Sequence, residues 1–335
     1  AQEKDGDWGK QWLATNEAGS GPYKLVSFQP EQQWTAERFA DYHKGWSGSH
    51  VDRVIYRVIK EESTRRLSLE KGDVDAAWVG SADTWESLKK AQGVQVDSFS
   101  TLNQMYFAFN HKKKYTADAR IRHAISLVYD YKGHVEKARN GHADVAQGPL
   151  PKAIPFHDGS IAPSEMNVQK AKQLMAEAGY PNGGFELSVA YQGTSPEETA
   201  AVQILQSGAS QLGITIKPVA MEWPAKVGAF SKEETSLDMA TQWIYPGYAD
   251  PDVYFYRMLH SSQAGGGGVN FAWHSDPKID ELLVSARSEM DQNKRGQMYK
   301  EIQQYWMKEM PYMNVTVMHA LTASRDYVKG FKWSP

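Results

Sequence analysis

Residues 185–219 constrain the fold most, because a strand, a capped helix and a second strand follow one another there with clear boundaries. FELSVAY at 185–191 reads as a strand. Ser195 then stands as helix N-cap, Pro196 takes the first helical position, and Glu197 and Glu198 fill the first turn. A carboxylate there faces the positive end of the helix dipole, and proline loses nothing where its N–H would be unpaired anyway. The helix is predicted to run to about Leu212 with Gly213 as its stop, and ITIKPV at 214–219 is the next strand. This rhythm is the unit of an α/β layer.

The same rhythm occurs earlier. GSGPYKLV at 19–26 and QWTAERF at 33–39 predict a hairpin, since Trp34, Ala36 and Arg38 alternate with Thr35, Glu37 and Phe39. VIYRVI at 54–59 is a strand, Ser63 caps a helix that carries Leu67 and Leu69, and Gly72 ends it. VDAAWV at 74–79 is a strand, Asp83 opens a short helix, and VQVDSF at 94–99 and NQMYFAFN at 103–110 are two further strands. Residues 118–130 form a helix through the stripe Ile121, Ala124, Ile125 and Val128. Residues 140–163 are a Gly/Pro-rich connection, and a helix is predicted at about 167–178. Late in the chain, LDMATQWI at 237–244 is a strand that empties into YPGYADPD. GGGG at 265–268 is a flexible loop, and helices are predicted from Asp276 and over 293–309. A last strand covers 313–319.

A chain of 335 residues favours two domains over one. Its formal charge of -3 argues against a broad nucleic-acid role, and no apolar run approaches the ~18–20 residues of a membrane span. With no cysteine there are no disulfides, no thiol catalysis and no cysteine-ligated zinc. The polar N-terminus lacks the basic and apolar regions of a signal peptide, so either a signal has been removed or the chain begins partway through a longer protein. The 11 Trp and 17 Tyr are the one unusual count. Core packing accounts for most of them, and a cleft lined with aromatic faces is the functional alternative.

Motifs for catalysis are missing: no phosphate loop, no dinucleotide fingerprint, no H-E-x-x-H and no G-x-S-x-G. The histidines lack metal-ligand spacing, and His111 and His123, if paired in space, read better as solvated or core residues. The close carboxylates Asp73/Asp75 and Asp250/Asp252 are the remaining acid–base candidates, with turn-forming roles as the plainer reading. Asn314 in N-V-T matches a glycosylation pattern, but its strand context makes the match uninformative.

The ordered strings GSGPYKLV, DRVIYRVIKEESTRRLSLEKGDVDAAW, YFAFN and ADARIRHAISLVYD resemble the family 5 extracellular solute-binding proteins. These are the periplasmic dipeptide-, oligopeptide- and nickel-binding type. AKQLMAEAGYPNGG, QLGITI, DPD at 250–252, DPKIDELLVSAR and VKGF at 328–331 continue the match in order, essentially end to end. In that family a longer segment precedes the G-x-G-P-Y-K motif, whereas 18 residues precede Gly19 here. The expectation is a chain lacking the N-terminal part.

The resemblance implies an α/β, two-lobed periplasmic binding protein (type II, cluster C-like) with an incomplete first lobe. Residues 1–102 and 316–335 would form the partial first lobe and 103–315 the second, with hinge strands near 103–110 and 311–319. It further implies a non-enzymatic, monomeric component of an ABC importer. Such a component is periplasmic, or extracellular and lipid-anchored in a Gram-positive source, and takes a small polar solute to a membrane permease without a cofactor or metal. The family's cleft is lined by the loop around W…DP, which here is WIYPGYADPD and offers Trp243, Tyr245 and Tyr248. Where peptide-binding members carry an aspartate for the ligand's α-amino group, this chain has Gly247. A buried ammonium without a partner is costly, so the expectation moves to a sugar-like or other polar solute, with a peptide as the alternative. Nickel is weaker still, because no histidine falls in the loop. Asn103, Gln104, Tyr106 and Asn110 of the hinge strand are second-tier candidates, and Trp243 as a core residue at a strand end is the competing reading. Asp250 is expected to hold its loop by backbone hydrogen bonds. A periplasmic hydrolase using Asp250, and a chaperone or receptor partner, are the alternatives of another class.

Overall fold

The computed structural model describes residues 3–330, so the end of the 316–335 stretch and the phenylalanine of VKGF lie outside the described residues. The chain divides into two compact units, one up to Trp78 and one from Val79. Among the described residues no helix is long and apolar enough to cross a membrane.

The first unit holds α1 (Lys10–Leu13), β1 (Tyr23–Gln29), β2 (Gln33–Arg38), β3 (Arg53–Arg57), α2 (Glu62–Lys71) and most of β4 (Ala76–Val79). β1, β2 and β3 form an antiparallel meander in which Trp34 lies opposite both Phe28 and Tyr56. The Trp34 and Tyr56 rings stack at 5.3 Å, the cross-strand pairing that fixes register in a small sheet. Helix α2 starts at Glu62 with Glu61 in the N-cap position, so Ser63 sits inside its first turn. Gly72 ends the helix at φ 82°, a conformation glycine adopts without strain.

The second unit contains α3 (Ala82–Leu88), β5 (Val94–Phe109), α4 (Ala119–Ser126), α5 (Tyr131–Gly133), a π-helical turn (His134–Ala138) and β6 (Ala143–Val145). There follow α6 (Val168–Glu177), β7 (Phe185–Tyr191), α7 (Pro196–Ser210), β8 (Ile214–Ala220), α8 (Trp223–Ala229) and β9 (Met239–Ile244). α9 (Asp252–Leu259), α10 (Pro277–Ser288), α11 (Gln292–Glu309) and β10 (Tyr312–Arg325) complete it. Ser81, not Asp83, caps α3 through the Thr84 N–H. The two strands expected at 94–99 and 103–110 are one strand of 16 residues. The stretch 101–103 between them has no partner in the β5–β10 ladder, and the strand runs on through it because Ser100 pairs with His319 on one side and Gln104 with Val317 on the other.

Within this unit the strands run β10-β5-β9-β7-β8, with β6 also on β10. β7 is parallel to both β8 and β9, while β5 is antiparallel to β9 and β10. Period-two alternation sorts the core onto the two faces of this sheet. Met105, Phe107 and Phe109 pack with residues of α4, α6 and α7, whereas Tyr106 and Ala108 pack with residues of α9, α10 and α11. The result is a sheet covered on both sides by helices. Gly208 lets α7 press onto the chain beneath it, since a Cβ there would sit 2.2 Å from the Val128 carbonyl oxygen.

His111 pairs edge-on with His274 at 5.6 Å, not with His123, whose Nε2 meets the Lys308 carbonyl. Burial lowers the His111 pKa to about 2, and Arg122 and His274 add to the effect; His274 is lowered by burial too.

Two outcomes follow. Gly208→Ala should cost about 2 kcal/mol in chemical denaturation, because the clash is with backbone and cannot relax by a rotamer change. The unfolded chain takes up a proton at His111 near pH 6.5 that the folded chain refuses. Stability is therefore intact above that pH and is lost as pH falls toward 2, by about 1.4 kcal/mol per pH unit for this group. Denaturation of His111→Phe between pH 7 and 4 should show a correspondingly shallower loss.

Candidate functional site

Loops leave the C-terminal ends of the neighbouring parallel strands β7 and β9 toward opposite faces. The chain after β7 enters α7 on the face of Phe107, and the chain after β9 enters α9 on the face of Tyr106. A crevice must open where adjacent connections diverge, and ligands of open α/β sheets bind in such crevices. Here it is a cleft of about 470 Å³ lined by Gln192 and Ser195 after β7, Gln242 to Tyr245 of β9 and the residue after it, Trp223, Lys226, Arg257 and Val269.

The floor is charged but paired. Glu198 and Lys226 are both buried, and the Lys226 ammonium donates to Glu198 Oε2 at 3.0 Å, to Thr241 Oγ1 at 3.0 Å and to the Thr241 carbonyl at 3.2 Å. Glu198 Oε2 also accepts the Gln192 N–H at 2.6 Å and the Thr241 hydroxyl. Burial lowers the Lys226 pKa, and the Glu198 charge opposes that shift. One residue earlier, Glu197 turns the other way and meets His134 Nε2 at 2.9 Å and Arg139 at 3.3 Å. The two glutamates that mark the helix start in the sequence thus fasten α7 to two different neighbours. The Ser195 hydroxyl accepts the Glu198 N–H at 3.3 Å, completing the cap.

The walls are aromatic. Trp243 and Tyr245 stack at 5.9 Å, and Trp223 faces Phe271 at 5.7 Å. Trp243 is half-buried against the α7-side core, while Tyr245 is 60% exposed. Gln242 donates to the Val269 carbonyl at 2.9 Å.

Of the residues singled out in the sequence, the structure brings Trp243 and Tyr245 to this cleft. Gly247 and Tyr248 lie in the exposed loop beyond it, where a Cβ on Gly247 would meet nothing within 4 Å. Gln104, Tyr106 and Asn110 are buried and act as braces: Gln104 donates to the Gly148 carbonyl, Tyr106 to the Pro149 carbonyl, and Asn110 to Ser236 and the Leu237 carbonyl. Asn103 is half-buried and its N–H donates to Thr101 Oγ1. Asp250 has both carboxylate oxygens engaged by Arg295 at 2.9 Å and also accepts the Asp252 N–H. Trp223, Lys226, Glu198 and Arg257 carry no signal that joins them in the sequence, apart from the helix start at 195–198. No group of three or more His, Cys, Asp or Glu suited to a metal ion occurs among the described residues.

The sequence model of the bacterial extracellular solute-binding proteins, family 5 Middle, matches residues 1–266. The chain belongs to this family. It is 26% identical to heme-binding protein A of Haemophilus influenzae, over 96% of this chain and 58% of that protein. It is 27% identical to the oligopeptide-binding protein AppA of Bacillus subtilis, over 95% of this chain and 60% of that protein. Among solved structures it resembles the ABC transporter-associated periplasmic binding protein DppA of Helicobacter pylori, in complex with the peptide STSA. The TM-score is 0.77 and the identity 26%, covering 94% of this chain and 60% of that one. The chain thus spans about 60% of the length of the family 5 proteins it matches.

Lys226→Met leaves Glu198 buried without its counter-charge and should cost about 3 kcal/mol in urea denaturation. Adding Glu198→Gln to it should recover much of that loss, since an uncharged pair no longer demands a cation.

Proposed function

We propose that this chain belongs to the substrate-binding component of a bacterial ABC importer, held outside the cytoplasmic membrane, and that its ligand is a peptide. The observation that carries this is the aromatic-walled cleft at the divergence of the β7 and β9 connections, with the charges of its floor, Glu198 and Lys226, paired with each other. Such a cleft holds a ligand by stacking and burial and presents no free nucleophile–base pair for turnover. The names of the oligopeptide-binding relative and of the peptide complex support a peptide. The sugar-like solute inferred from Gly247 finds no counterpart among these relatives, so the peptide alternative takes its place.

Lobe closure would turn on the two long strands. The β5–β10 ladder shifts register between Asn314 and Val317 and again between Val317 and His319, within the segment 311–319 expected to act as a hinge and opposite residues 100–106 of β5. Irregular pairing is where a ladder bends most easily. A ligand with higher affinity for the closed arrangement would then shift the population toward it, and the membrane permease would receive that form.

The test is incubation of the purified chain with a tripeptide mixture, followed by native mass spectrometry and analysis of the unbound pool. Retention without consumption supports the binding reading, whereas shortened peptides in the pool point to a hydrolase. Trp243→Ala should lower peptide affinity about tenfold, a greater loss than it causes in thermal stability. The opposite ranking assigns Trp243 to the core.

A further inference from the structure

The charges that line the cleft do not cancel. Glu198 is matched by Lys226, whose three donor directions are spent on Glu198 and Thr241. Arg257, on the exposed side of α9, lines the same cleft and makes no ion pair or hydrogen bond among the described residues. Its guanidinium presents a planar fork suited to a carboxylate. Four other acids stand near the strand ends without lining the cleft: Glu197 is held by His134 and Arg139, Asp250 by Arg295 and Asp252 by Arg287, while the exposed Glu222 accepts only the Thr194 hydroxyl. Among the residues that line the cleft there is thus one unmatched positive charge and no unmatched negative one. Gln242, buried on the floor, adds an acceptor, since its Oε1 has no partner.

We propose that Arg257 forms a carboxylate subsite, so that this cleft grips an anionic end of its ligand and is indifferent to a free amine. The proposal rests on the peptide reading above and refines it. With Gly247 in the loop, no free carboxylate lines the cleft to receive an α-ammonium, and an ammonium drawn into it would meet Arg257 as a like charge. N-blocked peptides are then ligands as good as free ones, and peptides without a carboxylate are poor ones. Stacking on Trp223, Trp243 and Tyr245 tolerates varied side chains, while the charge sets the direction in which the chain lies.

The test uses the full chain and tripeptides of Ala, Leu and Phe in four forms: free, N-acetylated, C-amidated, and C-amidated with one Glu replacing a residue. Affinities are read by native mass spectrometry and calorimetry. N-acetylation should change affinity by less than about threefold, and amidation should lower it about tenfold. Arg257→Gln should bind the amidated form as wild type does and lose the preference for the free acid. Its thermal midpoint should stay unchanged, since Arg257 holds nothing else in place. Recovery of affinity by the glutamate-bearing amide supports the subsite with a side-chain carboxylate as its guest; no recovery supports it with the C-terminus as guest. Loss of binding on N-acetylation, or a free-acid preference that survives Arg257→Gln, overturns the subsite and leaves the peptide reading standing. Failure of all four forms to bind overturns the peptide reading and the subsite with it.

Discussion

The antiparallel pairing of β5 with β10 is the constraint on which the second unit depends. The two strands contribute 16 and 14 residues, and at about 3.4 Å per residue a strand of that length far exceeds the usual five or six residues. Such a strand cannot be satisfied by its own hairpin. Where it is buried, over Gln104–Phe109, β5 is hydrogen-bonded on both edges and covered on both faces, and each requirement recruits other parts of the chain. β9 takes the second edge of β5, and β6 takes the second edge of β10. The alternation of Met105, Phe107 and Phe109 with Tyr106 and Ala108 then demands helices on both sides. Polar side chains in the middle of β5 serve the same end, because Gln104 and Tyr106 tie the 148–149 connection to the sheet through its carbonyls.

Helices on both faces in turn create the cleft. α7 and α9 can reach opposite faces only if the connections after β7 and β9 part company, and the crevice is the space left between them. Taking Glu198 and Lys226 out of water there costs several kcal/mol per ion unless each finds full hydrogen bonding. The Gln192 N–H and both oxygens of Thr241 provide it. The neighbouring Glu197 is held separately, beside the π-helical turn, by an ion pair with Arg139 and a hydrogen bond with His134. The floor is thereby rigid and electrically closed before any ligand arrives, which reduces the ordering that binding would otherwise require.

Most of the framework was legible in the sequence because it depends on local signals. The cap at Ser195, the stop at Gly72 and the stripe of Ile121, Ala124 and Ile125 each work within one element and stand where the pattern put them, whereas α7 stops at Ser210, short of Leu212 and Gly213, and α4 stops at Ser126, before Val128. Continuity of β5 was not legible, since the residues between Phe99 and Met105 break the apolar pattern and the pairing that joins the two halves, Ser100 with His319 and Gln104 with Val317, comes from a strand more than 200 residues away. No element is assigned from the sequence to α8 or α9. α8 is a two-turn helix with a proline at its start, and α9 buries Val253, Tyr254, Phe255, Met258 and Leu259 around much of its circumference, which blurs any stripe. These two helices supply Trp223, Lys226 and Arg257. Half of the cleft was therefore invisible for the reason that its residues meet only through the sheet topology, whereas Trp243 and Tyr245 share one loop and could be found together.

Asp250 shows why carboxylates close in sequence are a poor guide to chemistry. An acid or base must offer a free oxygen to a reacting group, and Arg295 occupies both oxygens of Asp250 in a fork while the Asp252 N–H adds a third bond. Its work is to fix the loop that follows β9, and through that loop the stacked pair Trp243 and Tyr245 at the mouth of the cleft. The same logic separates Lys226 from Arg257. Both are cations at one cleft, but the first has exhausted its donors on the protein and the second has spent none. What a charged residue can do for a ligand is set by the bonds its own fold leaves unused, and in this cleft that residue is Arg257.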